Sequence, residues 1–387
     1  MSTAVAPDVV PFSPPDIGGA EIAEVIATLE GGWLSTGPRV RRFEEAFAAY
    51  VGAPHAIALN SCTAGLHLSL LAAGVGPGDE VITTPLTFCA TANVIIHAGA
   101  TPVFADIDPT TGNLDPAAVD AAITPRTRAV IPVHYAGRPV EVGAFQALAR
   151  RRNLALVEDA AHCVEGVADG RKIGTTADFT CFSFYATKNL TTGEGGMVTT
   201  ASAEAAELMR VASLHGMSRD AWSRYQQVGP TRYDVVLPGF KYNMTDLQAA
   251  LGLHQLAALG ERHARRVQIS QRYDEALAGL PIGTFVAVPP ASVHARHLYT
   301  ILVDPQSSGL SRDDLAELLA ASGIASSVHF PAVHLHRYYA ERFGFVRGQF
   351  PHAERIADTV LSLPLSPALT DRQVEAVIRA VRSAFRS

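Results

Sequence analysis

Lys188 is the residue of clearest chemical potential, in the segment Ser183-Phe-Tyr-Ala-Thr-Lys-Asn-Leu-Thr-Thr-Gly-Glu-Gly-Gly196. It follows an apolar run and stands in a loop rich in glycine and threonine. An amine held in a dry cleft, or beside another cation, loses its proton more readily and forms Schiff bases with carbonyl compounds. Ser183 offers a hydroxyl, and Gly193, Gly195 and Gly196 let the backbone come close to a ligand. The plain alternative is a surface lysine in a turn. A second segment, Val157-Glu-Asp-Ala-Ala-His162, also ends an apolar run. Asp159 there can hold a proton on a pyridine nitrogen and keep such a ring an electron sink, or simply close a loop. His162, three residues on, can meet a ring oxygen or the aspartate itself.

Two more segments suit the same kind of ligand. Asn60-Ser-Cys-Thr-Ala-Gly65 opens a helical pattern, and a helix N-terminus is a natural anion site. Hydroxyls of Ser61 and Thr63 add bonds to a phosphate, although simple capping explains the same residues. Pro85-Leu-Thr-Phe88 follows another apolar run and places an aromatic where a flat ring can stack, or where a core needs filling. All four segments follow separate strand candidates, so they fall on one side of one sheet.

The elements that must position them alternate. Apolar runs at 56–60, 81–84, 102–107, 129–133, 155–158 and 179–184 read as strands buried on both faces. Helical patterns at 63–73, 90–98, 116–122 and 142–151 lie between them. This predicts an α/β fold with a mostly parallel sheet, whose ligands sit beyond the carboxyl ends of the strands. From Thr245 to Leu280 the pattern turns helical, Pro289-Pro290 interrupts it, and a second α/β pattern follows with a strand near 297–303 and a helix at 312–321. The expected organisation is a large domain with an N-terminal arm over 1–264 and a small C-terminal α/β domain over 265–387.

Composition excludes several functions. The formal charge of −6 over 387 residues leaves no basic surplus for nucleic acid. Cys62, Cys89, Cys163 and Cys181 lack paired spacing, so neither a disulfide frame nor a metal site is expected. The stretch Val81–Ala105 carries no charged residue, but Pro85, Asn93, His97 and Pro102 suit a bilayer poorly. No signal peptide is visible, and a cytoplasmic, membrane-free protein is expected.

In combination these segments resemble the DegT/StrS-type sugar aminotransferases, pyridoxal-phosphate (PLP) enzymes of fold type I with the aspartate-aminotransferase fold. The resemblance runs through Trp33-Leu-Ser-Thr-Gly-Pro38, Ser61-Cys-Thr63, Thr87-Phe88, Glu158-Asp-Ala-Ala-His162, Ser183 with Lys188-Asn189, Gly239-Phe-Lys-Tyr-Asn243 and Val328-His-Phe-Pro331. It implies that Lys188 carries PLP as a Schiff base and that Asp159 pairs with the pyridine nitrogen. It further implies Phe88 stacked on the ring, Cys62, Thr63 and Ser183 on the phosphate, and His162 near the ring oxygen. In this family the region of Lys241 and Asn243 reaches the neighbouring subunit's phosphate, which implies a homodimer with shared sites. Trp33, Ser35, Thr36, His329 and His334 are candidates for the sugar and the amino donor. Arg232, with Arg219 and Arg224, is a candidate for a substrate diphosphate.

Ile131-Pro-Val-His-Tyr-Ala-Gly137 and Asp159-Ala-Ala-His162 resemble the branch that aminates UDP-4-keto-pentose to 4-amino-4-deoxy-arabinose. The implied donor is glutamate, leaving 2-oxoglutarate, and the implied acceptor is a nucleotide-linked keto sugar aminated at C4. The chain departs from the common pattern at Gly239–Asn243, where many relatives read Gly-x-Asn-Tyr-Arg, and at Tyr185, a frequent histidine. Dehydratases of the family replace the lysine with histidine, and Lys188 argues against that variant. A cyclitol or 3-keto-sugar aminotransferase, another PLP enzyme type and a catalytically idle sensor of the same fold stay open.

Overall fold

The computed structural model describes residues 9–217 and 234–385. Its centre is a seven-stranded sheet. The strands are β1 (His55–Leu59), β2 (Glu80–Thr83), β3 (Thr101–Phe104), β4 (Thr127–Ile131) and β5 (Ala155–Asp159). After a short hairpin of β6 (Val167–Ala168) and β7 (Arg171–Lys172) come β8 (Phe179–Ser183) and β9 (Gly196–Thr200). The spatial order is β1-β9-β8-β5-β4-β2-β3. Every neighbouring pair from β8 to β3 is parallel, and β9 runs antiparallel to both β1 and β8. Sequence periodicity locates the other six central strands to within a few residues. It misses β9, whose Gly-Met-Val-Thr-Thr has no long apolar run.

Alternate side chains along these strands feed two cores. Ala56, Ala58, Ile82, Val130, Leu156 and Phe182 pack on one face, while Ile57, Leu59, Val81, Ile131, Val157 and Cys181 pack on the other. Helices cover both faces, which is why the strands read as continuously apolar. Because six strands point the same way, residues following β1, β2, β4, β5 and β8 meet at one edge.

The helical stretch from Thr245 is two helices, Asp246–Ala257 and Leu259–Ala276. Leu259 belongs to a core of the large sheet, whereas Ile269 and Tyr273 belong to a separate core with Leu315 and Val377. That second core surrounds the antiparallel pair β10 (Tyr299–Leu302) and β11 (Val360–Leu363). We propose a division near 264/265 on this change of core. Val10 pairs with Ile324 and is buried in the second core, so the start of the described chain packs on the C-terminal part. Among the described residues no helix is long and apolar enough to cross a membrane, and no group of three or more His, Cys, Asp or Glu could hold a metal ion.

Gly196 shows how tightly the sheet edge meets the first helix. It lies in register with Leu59 of β1 and Ser183 of β8. A Cβ built there would stand 2.4 Å from the Ser61 carbonyl carbon and 2.5 Å from the Cys62 nitrogen. The close approach is thus to the protein's own backbone. Gly196→Ala should displace the start of the helix and lower stability by ~1–3 kcal/mol in urea unfolding. Gly143→Ala, where a Cβ meets nothing within 4 Å, should be neutral or mildly stabilising. Equal behaviour of the two variants would contradict this packing.

Candidate active site

A cavity of about 480 Å³ opens where the strand ends converge. Its walls include Cys62 and Thr63 after β1, Phe88 after β2, Asp159 at the end of β5, and Ser183 and Lys188 at and after β8.

Asp159 is buried, and burial pushes its carboxyl pKa upward. Three contacts favour the charged form. Thr91 Oγ1 donates to Oδ2 at 2.8 Å, the Ala161 N–H donates to Oδ1 at 3.1 Å, and the Lys188 ammonium lies nearby. The backbone is fixed as well, since the Asp159 N–H donates to Pro132 and its carbonyl accepts from the His134 N–H. Lys188 is the counterpart. Burial lowers its pKa to about 8, against the opposing pull of Asp159 and then Cys62.

The helix Cys62–Ala72 begins at the cavity wall. Ser61 caps it by accepting from the Ala64 N–H at 3.1 Å, so the capping role holds for that hydroxyl. The N–H groups of Cys62 and Thr63 belong to the first turn, where a helix offers unpaired donors to an anion. The Cys62 thiol, pushed far up by burial, stays neutral. Phe88 is 60 % exposed, which rules out a core role and leaves an aromatic face at the cavity. His162 is buried, its Nδ1 has no hydrogen-bond partner, and its ring lies 4.3 Å from that of His297. His329 also lines the cavity, with Nδ1 2.8 Å from Ser362 Oγ and a pKa lowered to about 4 by burial and then by Lys188.

Other candidates lie elsewhere in this chain. Trp33, Thr36 and Asn243 line a second cavity of about 770 Å³. Asn243 Nδ2 donates to Thr36 Oγ1 at 2.7 Å, and the Ser35 carbonyl accepts from the Asp246 N–H at 3.0 Å. Lys241 is exposed, and its carbonyl accepts from Asn60 Nδ2 at 3.1 Å. His334 is buried against Phe350, with Nε2 3.0 Å from Glu354, and does not line the Lys188 cavity. Arg219, Arg224 and Arg232 lie outside the described residues.

Sequence reading passed over Thr91, Phe12, His297 and Phe330, all of which line the cavity. Thr91 carried a signal: it lies four residues after Thr87 across a helix start, and the two hydroxyls are 2.8 Å apart. Phe330 lies inside the Val328-His-Phe-Pro331 motif, beside His329, whereas Phe12 and His297 come from distant segments and carried no signal.

The arrangement fits PLP. A helix N-terminus suits the phosphate, a buried carboxylate suits a protonated ring nitrogen, an exposed aromatic suits the ring face, and a lysine amine of lowered pKa suits the aldehyde. Capture of PLP by Lys188, trapped with borohydride and mapped to its peptide, should rise with pH through about 8 as the amine loses its proton. In Asp159→Asn the midpoint should fall, because the carboxylate that holds the amine charged is gone. A midpoint near that of a free lysine, or an adduct on a different lysine, would refute this account of the site.

Known proteins share this architecture. The model of the DegT/DnrJ/EryC1/StrS aminotransferase family matches residues 15–382. The chain is 52 % identical over 374 residues to the spore coat polysaccharide biosynthesis protein SpsC of Bacillus subtilis, covering 96 % of each. Among solved structures it resembles Spr1654 of Streptococcus pneumoniae in its PMP form, assigned as a sugar aminotransferase. That match has a TM-score of 0.90 and 37 % identity over 97 % of this chain and 98 % of the other. It also resembles Helicobacter pylori PseC, an aminotransferase of pseudoaminic acid biosynthesis, with a TM-score of 0.89 and 30 % identity over 97 % and 99 %. With its strand-end lysine and aspartate in place, the chain belongs to the DegT/DnrJ/EryC1/StrS aminotransferase family.

Proposed function

We propose that this protein takes an amino group from glutamate and places it on C4 of a nucleotide-linked keto sugar, with PLP as cofactor. The convergence of Lys188 and Asp159 on one cavity, beside the start of the Cys62 helix, carries the reading. PLP, when bound, supplies the electron sink for a carbon that gives up a proton. The protein's part is to hold and move protons around it. Asp159 keeps the ring nitrogen protonated, and Thr91 and the Ala161 N–H keep Asp159 ionised while it does so. Lys188 takes the proton from the donor's α-carbon and returns one to the sugar carbon. A pKa near 8 suits an amine that must work in both directions. Cys62, Thr63 and Ser183 hold the phosphate, Phe88 covers the ring, and His162 lies by the ring oxygen.

A sugar acceptor is supported by the relatives, since SpsC serves polysaccharide biosynthesis and PseC the biosynthesis of pseudoaminic acid. The choice of C4 rests on the Pro132–Gly137 and Asp159–His162 stretches. Of the first, Val133 lines the cavity, whereas His134 and Tyr135 are buried, so their influence on substrate choice is indirect. The reverse half-reaction tests the assignment. Adding 3-amino and 4-amino nucleotide sugars separately to the PLP form should bleach its visible band with the 4-amino sugar. A clear preference for 3-amino sugars or free aminocyclitols would overturn C4 and leave the aminotransferase reading standing.

We further propose a homodimer with shared sites. Lys188 is the only lysine or arginine among the described residues lining the cavity, yet the cofactor phosphate, the glutamate carboxylates and a nucleotide diphosphate all need donors. Lys241 and Asn243 would supply donors to the phosphate from the partner. Mixing a Lys188→Ala chain with a chain altered at both Lys241 and Asn243 should restore activity, because one site of the hybrid is intact. Verified heterodimers without activity, or a fully active monomer, would count against sharing.

A further inference from the structure

Asn189 follows Lys188 in the chain, and its side chain is fully engaged. One terminal atom lies 2.9 Å from each oxygen of Glu165 and 2.7 Å from the Ala295 carbonyl oxygen. A carboxylate and a carbonyl only accept, so that atom is the amide nitrogen. The remaining amide oxygen is an acceptor, and it stands 3.1 Å from Nδ1 of His297. Nδ1 of His297 therefore carries a hydrogen. In a neutral ring the lone pair is then on Nε2. The ring is neutral because it is buried, and because His162, Lys188 and nearby cations disfavour a further positive charge. His297 lines the cavity, and its Nε2 is not among the sealed, unpartnered atoms, in contrast to Nδ1 of His162.

A neutral acceptor with a fixed tautomer repels phosphate and carboxylate oxygens and accepts a hydrogen bond from a hydroxyl. Asn189 follows Lys188, so this ring is tied to the loop that carries the amine and lines the same cavity. We propose that His297 is a specificity-determining residue that accepts a hydrogen bond from the hydroxyl beside the reacting carbon of the sugar. The assignment rests on the sugar-aminotransferase reading above. A buried acceptor left without its donor is costly, so a deoxy sugar is rejected more strongly than a lost contact alone implies.

Two measurements test it on the holoenzyme. Nitrogen-15 spectra of histidine-labelled protein, assigned with the His297→Gln variant, should show His297 protonated at Nδ1 and bare at Nε2. In the reverse half-reaction, UDP-4-amino-4-deoxy-arabinose should be preferred over its 3-deoxy analogue by about 10- to 100-fold. His297→Phe should lose that preference. His297→Gln, whose Oε1 can accept in place of Nε2, should keep most of it. The glutamate half-reaction should stay within a few-fold in His297→Gln, whose amide N–H can also take over the bond to Asn189 Oδ1, and in His297→Phe it should fall by less than the 4-amino-sugar half-reaction. Protonation at Nε2, undiminished discrimination in His297→Phe, or equal damage to the glutamate half-reaction would overturn the role of His297. If the wild-type protein reacts with glutamate but with no 4-amino sugar, the C4 assignment fails instead, and the nitrogen-15 spectrum still decides the tautomer.

Discussion

On the proposed reading, the site depends on keeping Asp159 charged where water is scarce. A carboxylate at the buried end of a strand pays a large desolvation cost, and left alone it would take up a proton. A protonated Asp159 could not hold a proton on a ring nitrogen. The structure offsets burial with the Thr91 hydroxyl, the Ala161 N–H and the Lys188 amine. Lys188 faces the reverse balance, since burial strips its proton and Asp159 favours keeping it. Each residue shifts the ionisation of the other, Lys188 favouring the charged Asp159 after Thr91 and Ala161 and Asp159 favouring the charged Lys188 against burial, so their separation is a quantity the sheet must fix.

The loop carrying Lys188 is correspondingly held from several sides. The Phe184 N–H donates to the Gly195 carbonyl, and the Thr192 N–H returns to the Phe184 carbonyl, closing the loop on itself. Thr187, just before the lysine, accepts at its carbonyl from Ser13 Oγ at 3.2 Å. Asn189, just after it, ties Glu165 to Ala295 and His297. Buried Arg266 donates to the Leu365 carbonyl at 3.0 Å, and the Leu365 N–H donates to the Phe12 carbonyl. The N-terminal segment, the long helix and the C-terminal part thus all bear on the residues flanking Lys188. The packing of the two cores therefore bears on the loop that carries the amine.

Much of this was legible in the sequence, for physical reasons. A parallel sheet covered on both faces demands apolar runs, and the runs at 129–133, 155–158 and 179–184 lie over β4, β5 and β8 to within two residues. Lys188 and Asp159 stood out because each follows such a run, and strand ends share an edge. What stayed hidden was contact between distant segments. Nothing local in Phe12 or His297 marks a cavity wall, and nothing in Trp33 or Asn243 says that within one chain they line a different cavity. The helical pattern from Thr245 concealed the break at Ala258, because apolar spacing continues across it. Gly196 was read as serving a ligand, whereas its missing Cβ makes room for Ser61 and Cys62.

The charge distribution of the cavity bears on how a large anionic substrate would sit. His162, His297 and His329 are held neutral by burial and by Lys188, leaving the Lys188 amine and the carboxylates of Asp159 and Glu194 among the groups lining the cavity. A helix N-terminus contributes roughly half a unit charge, enough to favour one phosphate but not a diphosphate and two carboxylates as well. Aromatic rings of Phe12, Phe88 and Phe330 form much of the remaining wall. Such an interior suits a neutral sugar ring, which offers hydroxyls and apolar C–H faces. A diphosphate placed there would be desolvated without compensation. On the proposed reading the sugar therefore enters and the nucleotide stays at the rim, where exposed cations and solvent can reach its charge. That division also explains how a chain of net charge −6 could handle a strongly anionic substrate, because the cations need only be local.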